Sequence, residues 1–153
     1  MKLHASYSFH GGIEEWTSRD LYEWVTDIFE APSVRVGPSS SEGIREHVQT
    51  QLSTAGWALN CVIEPEYSLT VTAKHRDLAF QIQTGNVSRA AYDLLKLQHL
   101  YLSRQIEAAC LAMPSLAAAA NMGSNLANSQ RLSDEIRLFS RQITVPLLVI
   151  SFE

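Results

Sequence analysis

The chain reads as α/β, a mixed sheet flanked by helices on both faces. Three observations predict this. A long helical stretch, "SRAAYDLLKLQHLYLSRQ", stands between two strand-like segments, "LAFQIQ" and "IEAACLAM". A helix in that position is the usual crossover between parallel strands. Upstream, "EYSLTVTA" and "LAFQIQ" alternate across the polar turn "KHRD", the pattern of an antiparallel hairpin. The short, small-residue segment "IEAACLAM" suits burial in a sheet centre, and "VPLLVISF" reads as a final, largely apolar strand. A sheet of mixed pairing, interrupted by helices, is α/β. A length of 153 residues predicts one domain over 1–153.

The elements follow in order. "TSRDLYEWVTDIFEAP" predicts a helix with Thr17 or Ser18 as its cap and Pro32 as its stop. Leu21, Trp24, Val25, Ile28 and Phe29 recur at helical spacing and make its apolar stripe. After the loop "VRVGPSSS", the segment "SEGIREHVQTQLSTAG" predicts a second helix. Ile44, Val48 and Leu52 lie on one side of it, and Gly56 stands just past its end. "WALNCVIE" alternates as a strand with Trp57, Leu59, Cys61 and Ile63 on one face. In the hairpin, Tyr67, Leu69 and Val71 oppose Ser68, Thr70 and Thr72, while Leu78, Phe80 and Ile82 oppose Ala79, Gln81 and Gln83. Asn86 and Ser88 lead into the long helix. The strand "IEAACLAM", a helical turn in "PSLAAAANMGSN", a helix in "SQRLSDEIRLFSRQ" and the final strand complete the chain. Pro146 sits near the start of that strand, where a missing N–H is tolerated.

Composition excludes several function classes. A charged fraction of 18% with 46% hydrophobic residues describes a folded chain rather than a disordered one. No apolar run is long enough to span a bilayer. The opening "MKLHASYSFHGG" lacks the apolar core of a secretory signal, so no membrane partner and a cytoplasmic location are expected. Cys61 and Cys110 lie far apart in apolar surroundings and read as free thiols, and no CxxC or HExxH motif marks a zinc site. The net charge of −4 argues against a broad cationic surface for autonomous duplex binding.

Several stretches, in this order and spacing, resemble the BglII/BstYI group of restriction endonucleases in the PD-(D/E)XK nuclease superfamily. They are "YSFHGGIEEW", "RDLAFQIQTGN", "AAYDLLKLQHLYLSRQIEAACLAMP" and "VPLLVISF". The resemblance covers most of the chain and implies a restriction-endonuclease-like fold, a homodimer and a double-stranded DNA partner. It also implies a magnesium site built from an Asp and, nine residues later, a Glu, with a Gln two residues beyond. Carried onto this sequence, the Asp position is Thr72, the Glu position is Gln81, and Gln83 matches the Gln. Arg76 and Asp77 resemble the family's turn residues.

The residues themselves place Thr72, Gln81 and Gln83 on the polar faces of paired strands. A hydroxyl and two amides carry no charge, whereas magnesium sites rely on carboxylates. The first expectation is therefore a degenerate endonuclease without a cofactor, retained for DNA or protein interaction. The second is an active magnesium-dependent endonuclease in which a displaced carboxylate, Glu66, replaces the missing pair. The third is a structural or regulatory partner protein that does not bind DNA. Lys74, Arg76, Arg89 and Lys96 are the candidate phosphate contacts. A single Glu-to-Gln exchange would account for Gln81 but not for Thr72.

Overall fold

The computed structural model describes all of residues 1–153. Its strands are β1 (Leu3–Phe9), β2 (Ala58–Glu64), β3 (Leu69–His75), β4 (Leu78–Ile82), β5 (Ala108–Pro114) and β6 (Leu147–Phe152). Its helices are α1 (Gly12–Thr17), α2 (Tyr22–Asp27), α3 (Ser41–Thr54), α4 (Val87–Leu102), α5 (Leu116–Met122) and α6 (Ser129–Leu138). One six-stranded sheet runs in the order β1-β6-β5-β4-β3-β2. The β4–β5 and β5–β6 pairs are parallel, and the outer pairs are antiparallel. The helix α4 makes the expected crossover from β4 to β5.

Two apolar clusters form, one on each side of the sheet. Trp16 of α1, Val25 of α2 and Ile44, Val48 and Leu52 of α3 pack on Leu78, Phe80, Cys110, Leu148 and Ile150. On the other side, Ala90, Leu94, Leu97 and Leu100 of α4 and Leu132 and Ile136 of α6 pack on Ala79, Ala109, Leu111, Leu147 and Val149. The alternation within each strand divides its residues between these cores. Trp16 and Trp24 both stack on Trp57, at centroid distances of 5.8 and 5.9 Å.

Four sequence expectations change. The first strand, β1, lies in a stretch to which the sequence reading assigns no element. It pairs with β6 from Leu3↔Phe152 to Phe9↔Leu147, and that pairing supplies hydrogen bonds its modest apolar pattern does not advertise. Residues 17–32 do not form one helix. α1 ends at Thr17, and Asp20, with φ +57°, breaks the backbone before α2 begins. Neither Thr17 nor Ser18 caps a helix start, and the Ser18 hydroxyl donates back to the Glu15 carbonyl at 2.9 Å.

The polar face of β4 is not exposed, because α4 covers it and all five β4 residues are buried. Finally, β2 does not keep one apolar face. Trp57 and Leu59 belong to the first cluster, Cys61 and Ile63 to the second. Asn60, with φ +49°, stands between them, and opposite it Val71 and Ala73 of β3 likewise divide between the clusters. The outer hairpin turns over at this point. The two cysteines are free, Cys110 buried in β5 and Cys61 on the edge strand, with β3 and β4 between them.

Helix starts are set by side-chain oxygens that satisfy otherwise unpaired N–H groups. Asn86 accepts from Ser88 N–H at 2.9 Å, Ser115 from Ala118 N–H at 3.1 Å and Asn128 from Arg131 N–H at 3.0 Å. Gly56 takes φ +81° just after α3, as expected. Gly12 answers a different constraint. A Cβ there would overlap the carbonyl group of Leu147 and the nitrogen of Leu148, so only glycine lets α1 lie directly on β6.

Two measurements check this account. Gly12→Ala forces backbone apart at a buried contact and is expected to destabilise the fold by about 3 kcal/mol or more in urea unfolding. Asp77 gives the second. Its carboxylate accepts from Arg19 Nε at 3.0 Å, and that bond is the main reason its pKa lies below the usual carboxylate value. A carboxylate depressed in the folded state contributes stability above its unfolded pKa and loses it as pH falls through the folded value. The thermal midpoint should therefore drop as pH falls below about 4. Asp77→Asn should remove part of that drop, by a small amount, since the pair is partly solvated.

Candidate active site

The sheet forks between β3 and β4. Their backbones pair only at Ala73↔Phe80, Lys74↔Ala79 and His75↔Leu78. Beyond that point side chains replace the ladder. Thr72 N–H donates to Gln81 Oε1 at 3.0 Å, and the Thr72 hydroxyl lies 3.2 Å from the same oxygen. Ile82 N–H in turn donates to Thr72 Oγ1 at 3.2 Å. The strand β4 continues beside β5, with Gln83 N–H donating to the Ala112 carbonyl at 2.9 Å. A cleft of about 260 Å³ opens at the fork.

Thr72, Gln81 and Gln83 all line this cleft, as their spacing implied. The structure also brings in a residue that sequence reasoning missed. Asp93 projects from α4, is 4% exposed, and lies at the centre of the group. Gln81 Nε2 donates to its Oδ1 at 3.1 Å, and Gln83 Nε2 donates to its Oδ2 at 2.6 Å. Lys96, one turn later on α4, places its ammonium 2.6 Å from Oδ1 and also donates to the Thr70 carbonyl at 3.0 Å. Gln83 Oε1 accepts from Gly85 N–H at 2.6 Å. The sequence carried one signal for this: Asp93 falls beside Ala90, Leu94 and Leu97 on the covered side of α4, where an acid needs partners.

The expectation of a site without charge is thus corrected. It holds one carboxylate, and that carboxylate is neutralised by Lys96. Both Asp93 oxygens accept hydrogen bonds, and the carbonyl oxygens of both glutamines already have donors. Magnesium prefers octahedral oxygen ligands that include carboxylates. To reach Asp93 it would have to displace an ammonium and reverse two amides, so this donor set does not fit the ion as arranged. No group of three His, Cys, Asp or Glu side chains comes together that could hold a metal.

The other candidates fall elsewhere. Glu66 sits in a 3-10 turn at Pro65–Tyr67, is exposed, and does not line the cleft. Asp77 is held by Arg19 at the start of β4, about 20 Å along the strand from Gln83. Lys74 and Arg76 lie toward that same turn and outside the cleft, with Lys74 Nζ 3.5 Å from Gln105 Oε1 and Arg76 at φ +52°. Of the four basic candidates, only Arg89 and Lys96 reach the cleft, and Lys96 is committed to Asp93.

The family described as restriction endonuclease BglII/BglIII matches residues 5–152. The chain belongs to that family. Two crystal structures share the BglII fold. That of restriction endonuclease BglII complexed with a DNA 16-mer superposes with a TM-score of 0.84 at 11% identity, covering 100% of this chain and 78% of that one. Free BglII gives a TM-score of 0.77 at 13% identity, covering 100% and 80%. No curated protein matches the chain. At such identities the structural likeness carries the fold, while the residues in the fork are this chain's own.

The network generates a stability prediction. Asp93→Ala leaves Lys96 without its counter-charge and two amides without their acceptor, and breaking a buried pair in this way costs about 3–5 kcal/mol. Urea unfolding should show a loss of that order. Combining it with Lys96→Met should recover part of the loss, because the uncompensated ammonium is then gone.

Proposed function

We propose that this BglII-family chain does not cut DNA and is retained for interaction with DNA or with a protein partner. The observation that carries the reading is the Asp93–Lys96 pair. The cleft's one carboxylate is neutralised within the protein, with Gln81 and Gln83 donating to it. Metal-dependent hydrolysis needs a cation to polarise the phosphate and lower the pKa of the attacking water. Thr72 and Gln81 supply no anionic oxygen to hold one. A DNA partner is supported by the family and by BglII, whose fold this chain shares and which is seen with a DNA 16-mer. A homodimer is supported by α4, which leaves Tyr92, Leu95 and Leu102 exposed.

A second reading, an active magnesium-dependent endonuclease with a displaced carboxylate, rests on a specific residue. Asp93 is a carboxylate in the cleft, whereas Glu66 is not. In that reading DNA binding would draw Lys96 away and free Asp93 for the metal.

Plasmid DNA incubated with purified protein and magnesium or manganese is expected to remain uncut. The paired substitution Thr72→Asp with Gln81→Glu should strengthen divalent-ion binding by placing two carboxylates beside Asp93. Cleavage by the unmodified protein that Asp93→Asn abolishes would establish the second reading instead. Cleavage lost with Glu66→Ala would require the outer hairpin to fold back over the fork. Light scattering at high protein concentration should give the mass of two chains, and a clean monomer would contradict the dimer.

A further inference from the structure

One short motif occurs twice in the chain. Residues 102–106 read "LSRQI" and residues 139–143 read "FSRQI". The first closes α4 and leads into β5, and the second follows α6 and leads into β6. Because β4, β5 and β6 run parallel, both helices return the chain to the level where the next strand begins. α4 and α6 also pack on the same side of the sheet. The two copies therefore stand side by side at one end of the molecule, on the order of 10 Å apart, the spacing of neighbouring helices. The cleft lies at the other end, where β4 finishes.

The repeat does not preserve a backbone turn. At α4, Arg104 takes φ +58° and Gln105 N–H donates to the Leu100 carbonyl at 2.9 Å, a left-handed helix stop. At α6, Arg141 is not left-handed, and the N–H groups of Gln142 and Ile143 both donate to the Phe139 carbonyl at 2.9 Å. What the copies share is what they bury and what they show. Ile106 and Ile143 are buried, whereas Leu102 is 68% exposed, Phe139 is 50% exposed, and both Arg-Gln pairs face solvent. A cation at a helix C-terminus complements the helix dipole, but that effect needs no exposed apolar neighbour. The surroundings carry little negative charge. Residues 94–106 and 136–152 contain no acid, and Glu107 is the one acid between either copy and its strand. Arg76, exposed in the turn before β4, stands beside the first copy, since Glu107 N–H donates to the Asp77 carbonyl at 2.7 Å.

We propose that this paired motif docks an acidic protein segment, one carrying two carboxylate–leucine units that engage both copies together. The surface is separate from the cleft, and the inference does not depend on whether the cleft takes a metal. A guanidinium group matches a carboxylate in shape and in charge. Leu102 and Phe139 offer apolar surface beside each guanidinium, and the Gln105 and Gln142 amides supply donors and acceptors for a peptide backbone. One exposed charge pair contributes little by itself. Two linked units raise the effective concentration of the second contact, which is a reason for the motif to occur twice. A lipid surface accepts any scatter of basic and apolar residues and calls for no repeated order. A nucleic-acid backbone gains nothing from the exposed Leu102 and Phe139.

Fluorescence anisotropy with labelled synthetic peptides tests this. The probe holds two Glu-Leu-Glu units joined by a Gly-Ser spacer, made in two lengths that span about 10 and about 20 Å. Saturable binding of at least one length is expected, with a single-unit peptide binding at least about tenfold more weakly. Arg104→Gln and Arg141→Gln should each weaken binding about threefold, and the two together about tenfold, the scale of exposed charge pairs. Leu102→Ser with Phe139→Ser should weaken it by a similar factor. All four side chains are exposed, so unchanged thermal midpoints would show that the variants fold. No saturable binding of either peptide overturns the inference. So does binding that the paired substitutions leave intact, or equal binding of the same peptides with Lys in place of Glu. Binding only to anionic phospholipid vesicles, or only to a short DNA duplex, assigns the surface to lipid or nucleic acid and overturns it too. Light scattering in which Leu102→Ser with Phe139→Ser turns a dimer into a monomer would show that a second copy covers the surface, the last contrary result.

Discussion

The contact between Asp93 and the fork is the interaction on which the site depends. Where β3 leaves β4, backbone groups lose their ladder partners, and unpaired backbone groups at a covered position are costly. Gln81 and Thr72 take those groups up, with Gln81 Oε1 receiving Thr72 N–H and Thr72 Oγ1 receiving Ile82 N–H. Gln81 then presents its amide hydrogens inward, and Asp93 is the acceptor that α4 brings to them. Gln83 is oriented in the same way between Gly85 N–H and Asp93. A carboxylate under a helix is itself expensive to bury, and Lys96 offsets that cost. Each group in the chain of contacts fixes the orientation of the next.

This arrangement makes the function question one of electrostatics rather than shape. The fold around β3 and β4 is intact, with α4 on one face and α1 to α3 on the other. Within it, a cation is already present as Lys96, covalently attached and paired. A second cation has no anionic oxygen left to compensate its lost water.

Much of the fold was legible because periodicity and punctuation agreed. α3, α4, β5 and β6 each combine a clear apolar pattern with a capping or breaking residue, and their order fixes the parallel centre of the sheet. The failures have local physical causes. In β1, "LHASYSF" places serines and a histidine among its apolar residues, so its strand character comes from pairing with β6. The break between α1 and α2 depends on Asp20 adopting a positive φ, which no apolar spacing announces. The turnover at Asn60 moves Cys61 and Ile63 to the opposite core while leaving their alternation unchanged. For the site, the spacing from Thr72 to Gln81 and Gln83 was enough to place three residues together. Asp93 was hidden because it enters from another element, and nothing local to β3 or β4 points to it. Lys74 and Arg76 looked equivalent to Arg89 as basic residues, and only the direction of β4 separates them.

The central claim is that Gln81 and Gln83 are held by Asp93 and do not ligate a divalent ion. Nuclear magnetic resonance of their side-chain amide groups reads this directly, since those hydrogens donate to the Asp93 oxygens. With magnesium chloride titrated against a matched sodium chloride control, both amide pairs should stay at their starting positions. A saturable shift of either pair, specific to magnesium, would mean that the network opens to admit the metal and would contradict the account.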